Sequence, residues 1–187
     1  MRRNGLAIAL AATFGLGSAA ACGSQIDGGY VDHVTTEVAP ERIAAGSSAE
    51  VTCTVLTSRD AVVDVETSFT VTPDEGVTVD GTSVTPTLAG TYTIRCAVPD
   101  FDIEDAVGAE LVVDPADPMR VTTLFAKNPV KVYESTEVTC LVEDAYGNEV
   151  TTATTSLSAD EGLAIDDHTV VSEQIGFYEV SCAVEGS

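Results

Sequence analysis

The sequence predicts an all-β protein built as two tandem antiparallel β-sandwiches, the second lacking its last strand. Three observations predict it. The apolar residues are mostly Val and Ala mixed with many Thr, Trp is absent and aromatics make up only 5% of the chain. β-Branched side chains of this kind favour strands over helices. Gly and Pro recur along the whole body as punctuation between short apolar runs, which is how strands and turns alternate. A long internal repeat then divides the body in two.

Val51-Thr52-Cys53 recurs as Val138-Thr139-Cys140, and Asp74-Glu75-Gly76 as Asp160-Glu161-Gly162. The run from Gly90 to Val98 (GTYTIRCAV) recurs from Gly176 to Val184 (GFYEVSCAV). The first cysteines stand 87 residues apart and the second ones 86, a period that suits a whole sandwich domain rather than a solenoid turn. Within each copy the residues alternate. Val51, Cys53 and Val55 share one face, as do Tyr92, Ile94, Cys96 and Val98; the second copy repeats this with Val138, Cys140 and Val142 and with Tyr178, Val180, Cys182 and Val184. A period of two with one apolar face marks a half-buried strand, and it puts the cysteines inside.

With Cys22 set aside, four cysteines allow three pairings, and the repeat selects Cys53 with Cys96 and Cys140 with Cys182. Zinc is the competing use of four cysteines, but spacings this long, without a C-x-x-C pair, argue against it. Closing a loop of about 43 residues should stabilise each domain by roughly 4 kcal/mol on the chain-entropy model.

Residues 1–21 are a different material. Arg2 and Arg3 form a positive start, residues 5–17 are uncharged and apolar, and small residues follow up to Cys22. This is a secretory signal, too short for a comfortable membrane span. Ala19-Ala20-Ala21-Cys22 resembles a bacterial lipobox, which implies cleavage before Cys22 and acylation of that cysteine. Each buried methylene of such an anchor contributes about 0.8 kcal/mol. The alternative is an ordinary signal peptide cut after Ala21, leaving Cys22 as a free thiol. Residues 22–33 read as a tether, 34–114 as domain one, 115–118 (Pro-Ala-Asp-Pro) as a short stiff linker, and 119–187 as domain two. Domain one has eighteen residues after Cys96, including the strand 109–113, whereas five follow Cys182. Domain two is therefore expected to be incomplete, the chain being the beginning of a longer protein.

The net charge is −22, and loss of residues 1–21 removes two of eight basic residues and none of thirty acidic ones, leaving −24. Such a surface repels nucleic acid and anionic lipid head groups; a solvated acidic face that keeps the protein soluble accounts for it.

This pattern resembles an immunoglobulin-like sandwich with its cysteines on the second and sixth strands, although no Trp packs on the bridge and the tyrosine lies four residues before the second cysteine. The Gly-x-Tyr-x-(Ile/Val) run looks like the penultimate strand of bacterial immunoglobulin-like domains. Val142-Glu143-Asp144-Ala145-Tyr146-Gly147-Asn148-Glu149-Val150 resembles the V-x-D-x-x-G-N-x-V turn of invasin/intimin-type repeats. Asp144 is expected to cap that turn, with Gly147-Asn148 supplying positive φ. Domain one reads Leu56-Thr57-Ser58-Arg59-Asp60 at that place.

Catalytic motifs are absent: no G-x-S-x-G, H-E-x-x-H or C-x-x-C occurs. His33 falls in the tether and His168 in a loop beside Asp166 and Asp167, where a solvated turn is the simpler reading. The recurring Asp-Glu-Gly triplets point to a turn of the fold rather than to paired catalytic carboxylates. No cofactor is expected. Calcium is the one small partner considered, through Asp100, Asp102, Glu104 and Asp105 in one loop and Asp114 and Asp117 at the linker, since hard oxygen ligands at a domain junction could stiffen it. Solubilising acidic loops explain the same residues.

Together these readings imply a non-catalytic, lipid-anchored surface protein of tandem immunoglobulin-like domains. It would serve as a cell-envelope stalk or adhesion protein, held to the membrane through Cys22, with a protein or glycan ligand and no nucleic acid. Ser24, in place of an Asp, suits outer-membrane or cell-surface sorting. Two alternatives stand beside it: the N-terminal stalk of an exported hydrolase whose catalytic domain lies beyond residue 187, and a binding module using the loops of domain two. The fold alone does not separate them.

Overall fold

The protein is known from a computed structural model that describes residues 30–185; Cys22 and the segment before it lie outside the described residues. Sixteen strands run through it. The first unit holds β1 (Val31–Ala39), β2 (Arg42–Ala44), β3 (Ala49–Thr57), β4 (Val62–Val63), β5 (Ser68–Thr72), β6 (Val77–Asp80), β7 (Ser83–Pro86), β8 (Gly90–Val98), β9 (Ile103–Glu104) and β10 (Ala109–Asp114). The second holds β11 (Arg120–Phe125), β12 (Ser135–Glu143), β13 (Thr155–Ala159), β14 (Leu163–Asp166), β15 (Thr169–Ser172) and β16 (Val180–Val184). One 3-10 turn, Pro99–Phe101, interrupts the strands.

In the first unit one sheet runs β1-β3-β7-β6 with β4 on β3, and the facing sheet runs β2-β10-β8-β5 with β9 on β8. The second unit repeats the plan as β11-β12-β15-β14 facing β13-β16. The cysteines lie on β3 and β8, and on β12 and β16, so each bridge crosses between facing sheets. Cys53 pairs with Cys96 (Cα–Cα 5.7 Å) and Cys140 with Cys182 (5.6 Å). They stand on the third and eighth strands of unit one, not the second and sixth, because short pieces such as β2 and β4 interpose.

In unit one the alternation read from sequence is the packing observed, whereas in unit two Tyr178, Val180, Cys182 and Val184 are only half-buried and Tyr178 precedes β16. Tyr92, Ile94, Cys96 and Val98 are all buried, opposite Val51 and Val55 of β3 and Leu111 and Val113 of β10. Each fully buried aliphatic side chain contributes about 1.5–3 kcal/mol. Tyr92 is buried yet polar at its tip, and its hydroxyl donates to Leu88 O at 2.8 Å; Tyr178 makes the equivalent bond to Gln174 O at 3.3 Å. Burial raises the Tyr92 pKa, and the neighbouring Glu75 raises it further.

One detail differs from the sequence reading, and a second went unread in it. β1 begins at Val31, so His33 belongs to a strand rather than to the tether; the apolar residues Val31, Val34 and Val38 carry it into the core. A threonine seam joins the two sheets in each unit. Thr36 Oγ1 accepts the Cys96 N–H at 2.9 Å, and Thr123 Oγ1 accepts the Cys182 N–H at 3.1 Å. Thr36 and Thr123 are one repeat apart, within Val34-Thr35-Thr36 and Val121-Thr122-Thr123.

Candidate functional site

The place where the units meet is built almost wholly from the loop after β12. Val150 N–H donates to Val142 O at 2.8 Å, closing the loop on its own strand. Inside it, Asp144 N–H donates to Asn148 O (3.0 Å) and Gly147 N–H to Asp144 O (3.3 Å). Gly147 takes φ +87, a conformation that costs a glycine nothing and most other residues about 1 kcal/mol or more. Asn148 does not share the positive φ expected for it.

Asp144 is 4% exposed and accepts four N–H donors. Oδ1 takes the backbone N–H of Tyr146 (2.8 Å) and of Asn148 (2.9 Å). Oδ2 takes the Asn148 side-chain amide (2.8 Å) and the backbone N–H of Ala116 in the linker (2.8 Å). Burial pushes this carboxyl's pKa up, but the Asn148 and backbone donors outweigh it and hold the group below its ordinary 3.8.

Asn148 carries the contact across. Its Nδ2 donates to Thr87 O at 2.9 Å and its Oδ1 accepts the Ala89 N–H at 2.8 Å, both on the connection between β7 and β8 of unit one. The pattern fixes the amide's orientation, since only one arrangement satisfies a carbonyl, a carboxylate and an N–H together. Tyr146 completes the contact: its ring lies where a Cβ on Gly46 would stand, and Gly46 sits at φ +79. Three segments of unit one, around Gly46, Thr87–Ala89 and Ala116, thus meet one loop of unit two. Ala116 also packs against the core of unit one, so the linker is part of that body.

Unit one has Thr57 where unit two has Asp144, and Asp60 (φ 58) where unit two has Gly147. Thr57 is fully buried and its Oγ1 accepts the N–H groups of Ala61 (3.2 Å) and Arg59 (3.4 Å). One hydroxyl closes the turn; it has no second oxygen with which to hold a linker. The motif therefore does two jobs in unit two. The capping role of Asp144 was legible from its spacing, whereas the reach of Asn148 into unit one was not, because nothing in a turn motif names its distant partner.

The structure scatters the acidic residues considered for calcium. Asp105 accepts the Thr36 N–H (2.8 Å) and the Val107 N–H (3.0 Å), and these bonds lower its pKa against the burial that raises it. Asp114 pairs with Arg42 at 3.2 Å. Asp100, Asp102, Glu104 and Asp117 are exposed. Among the described residues no group of three or more His, Cys, Asp or Glu side chains gathers as a metal site. The His168 ring bonds its neighbour Asp167 (2.9 Å) and the His33 ring its neighbour Asp32 (3.3 Å). Both Asp-Glu-Gly triplets form turns with positive φ at Gly76 and Gly162, and Asp160 also accepts the Glu179 N–H at 2.7 Å.

No protein-family model and no curated sequence matches the chain. Solved structures do. InvD of Yersinia pseudotuberculosis superposes with a TM-score of 0.56 at 20% identity, over 82% of this chain and 53% of that one. Invasin, a bacterial integrin-binding protein, superposes with a TM-score of 0.54 at 16% identity, over 82% of this chain and 37% of that one. The chain thus spans about half of the first and little more than a third of the second. The likeness is one of fold: tandem immunoglobulin-like β-sandwiches of the kind found in invasin-type bacterial surface proteins.

Proposed function

We propose that the chain is a non-catalytic, lipid-anchored protein of the cell envelope, in which two immunoglobulin-like units act as a stiff stalk for adhesion or interaction. The junction carries this reading. A spacer must keep its units in one relation, and here the Asp144 carboxylate, the Asn148 amide and the Tyr146 ring bind the linker and unit one at three separate points. Pro115 and Pro118 restrict the chain between them. The anchor rests on Ala19-Ala20-Ala21-Cys22, and the oxidising compartment on two paired cysteines per unit. Protein or glycan surfaces are the partners that loops at sandwich ends suit, and the net charge of −22 disfavours nucleic acid.

Three measurements test it. Metabolic labelling with an alkyne fatty acid should tag the wild-type protein but not Cys22→Ser, and external protease should digest it on intact cells. Small-angle scattering should give one elongated shape that Asn148→Ala broadens. An unlabelled, protease-shielded product would sink the envelope reading, and a wild-type scattering curve already typical of freely jointed units would sink the stalk.

A further inference from the structure

The free edge of β5 borders a groove that belongs wholly to unit one, on the side away from β10. β5 ends its sheet, and among the described residues no strand lies beyond it. Its backbone groups are available in a definite pattern. Cys96 donates its N–H to Thr36 Oγ1 (2.9 Å) and accepts the Asp105 N–H (2.9 Å), so both its backbone groups face away from β5. Phe69 registers with Cys96. The alternation of an antiparallel pair then turns the N–H and C=O of Phe69, and those of Val71 two residues on, outward from the sheet edge. A cavity of about 600 Å³ opens beside this edge, lined by Cys53, Thr67, Phe69, Val79, Gly81 and Thr82 among others. Its far wall is β3, which β7 covers at Ala49 and Glu50 and β4 at Val55 and Leu56. The hairpin of β6 and β7 is short, and its tip stops where Val51 N–H donates to Thr82 O at 2.9 Å. Cys53, between these contacts, meets no strand on that side among the described residues.

We infer that this groove takes an extended segment of a partner polypeptide, which adds to β5 as a further strand. The segment is uncharged over the length of β5, apolar at alternate positions, and carries Lys or Arg at both ends. Phe69 is half-buried and Val79 is 51% exposed, so a side chain entering between them removes apolar surface from water. Backbone pairing supplies affinity and this recess supplies selectivity. Charge sets the ends. Ser68–Thr72 bears no charge, whereas Asp64 and Glu66 precede it, Asp74 and Glu75 follow it, and all four carboxylates are exposed. Glu50, which accepts the Thr82 hydroxyl at 2.8 Å, adds another at the rim. Arg95, opposite Thr70 on β8, stands one strand in from the edge. A second copy would bring the same acidic flanks and be repelled. The free edge of β13 in unit two lacks the acidic lead, since Thr151-Thr152-Ala153-Thr154 precede it. The inference does not rest on the stalk or on the anchor.

The probe is the synthetic peptide KKVTVTVKK, titrated into the native product as isolated and followed by amide NMR. Salt at about 0.15 M screens charges more than about 8 Å apart. Saturable binding is expected, with shifts confined to Cys53 and to residues 66–74 and 79–82. A peptide of the same charge with Pro at its centre, KKVTPTVKK, lacks the central N–H and should not bind. The double variant Glu66→Gln with Asp74→Asn, both at exposed positions, should weaken binding about tenfold, roughly threefold for each lost exposed ion pair. No binding of the first peptide, equal binding of the Pro peptide, or shifts as large on β13 would each overturn the inference. So would unchanged affinity in the double variant, or a concentration-dependent dimer that excludes the peptide.

Discussion

Replacing Asp144 by Ala removes four acceptor contacts at one stroke, and the structure indicates which of them matter. The bonds from the Tyr146 and Asn148 N–H groups are part-buried too, but they close the loop on itself beside the exposed residues Ala145, Tyr146 and Gly147, where water can take the carboxylate's place at modest cost. The Ala116 N–H and the Asn148 amide are part-buried between the units. A part-buried donor left without its partner costs about 1–3 kcal/mol, so the loss should total about 3 kcal/mol, borne by unit two and the junction. For a unit of 60–100 residues, 1 kcal/mol moves the midpoint by about 4–8 °C, which puts the expected fall at roughly 12–24 °C. Scanning calorimetry of the oxidised protein would resolve this as a shift of the unit-two transition, with the unit-one transition moving much less. Asp144→Asn keeps one acceptor oxygen and should fall about half as far. A shift below about 4 °C for the Ala variant, with both transitions unmoved, would mean that the carboxylate does not hold the junction, and the stalk argument would fail with it.

Further outcomes follow from the same structure. The pKa values of Asp144 and Asp105 lie below 3.8 in the fold and that of Glu134, beside Lys127, lies below 4.5. Groups depressed in the folded state stabilise it fully above their unfolded values and lose that stabilisation as pH falls through the folded ones. The melting midpoint should therefore begin to decline as pH falls past about 4.5, the ordinary value for Glu134, and fall further below 3.8, which a pH series of thermal melts checks. Mutating both Cys53 and Cys96 to Ala should cost unit one about 4 kcal/mol for a 43-residue separation, read by denaturant titration. Gly46→Ala should destabilise the junction by about 1–2 kcal/mol, since φ +79 strains any Cβ and Tyr146 occupies its place, with broadened scattering as the readout. Calcium at millimolar levels should leave the melting curve unmoved, because Asp105 and Asp114 are already engaged by N–H donors and by Arg42.

What the sequence made legible was whatever repeats at short range. Alternation on β3 and β8 fixed the buried faces, and the repeated cysteines could be placed on facing sheets because each sits on such a face. The Thr36 and Thr123 seam was also written in the repeat, one match further upstream than the runs that stood out, in residues too polar to look like core. The start of β1 was harder. Asp32 and His33 look like tether by composition, and only the tertiary placement of Val31 and Val34 draws them into a strand. The junction was the least legible part. Asp144 shows its capping role through bonds within five residues, but Asn148 bonds to Thr87 and Ala89, some sixty residues away, and no local pattern encodes that distance.

The contrast between Thr57 and Asp144 explains how one fold serves in series. A sandwich corner needs a single acceptor to close its turn, and a hydroxyl meets that need at the first corner. A corner that must also hold the preceding linker needs a second acceptor on the same side chain, which a carboxylate has and a hydroxyl shares only poorly. Burying that charge would be costly alone, and four donors offset the cost while spreading it over both units. The stiffness of the pair and the depressed pKa of Asp144 are then one fact seen twice: whatever protonates this carboxyl also loosens the link between the units.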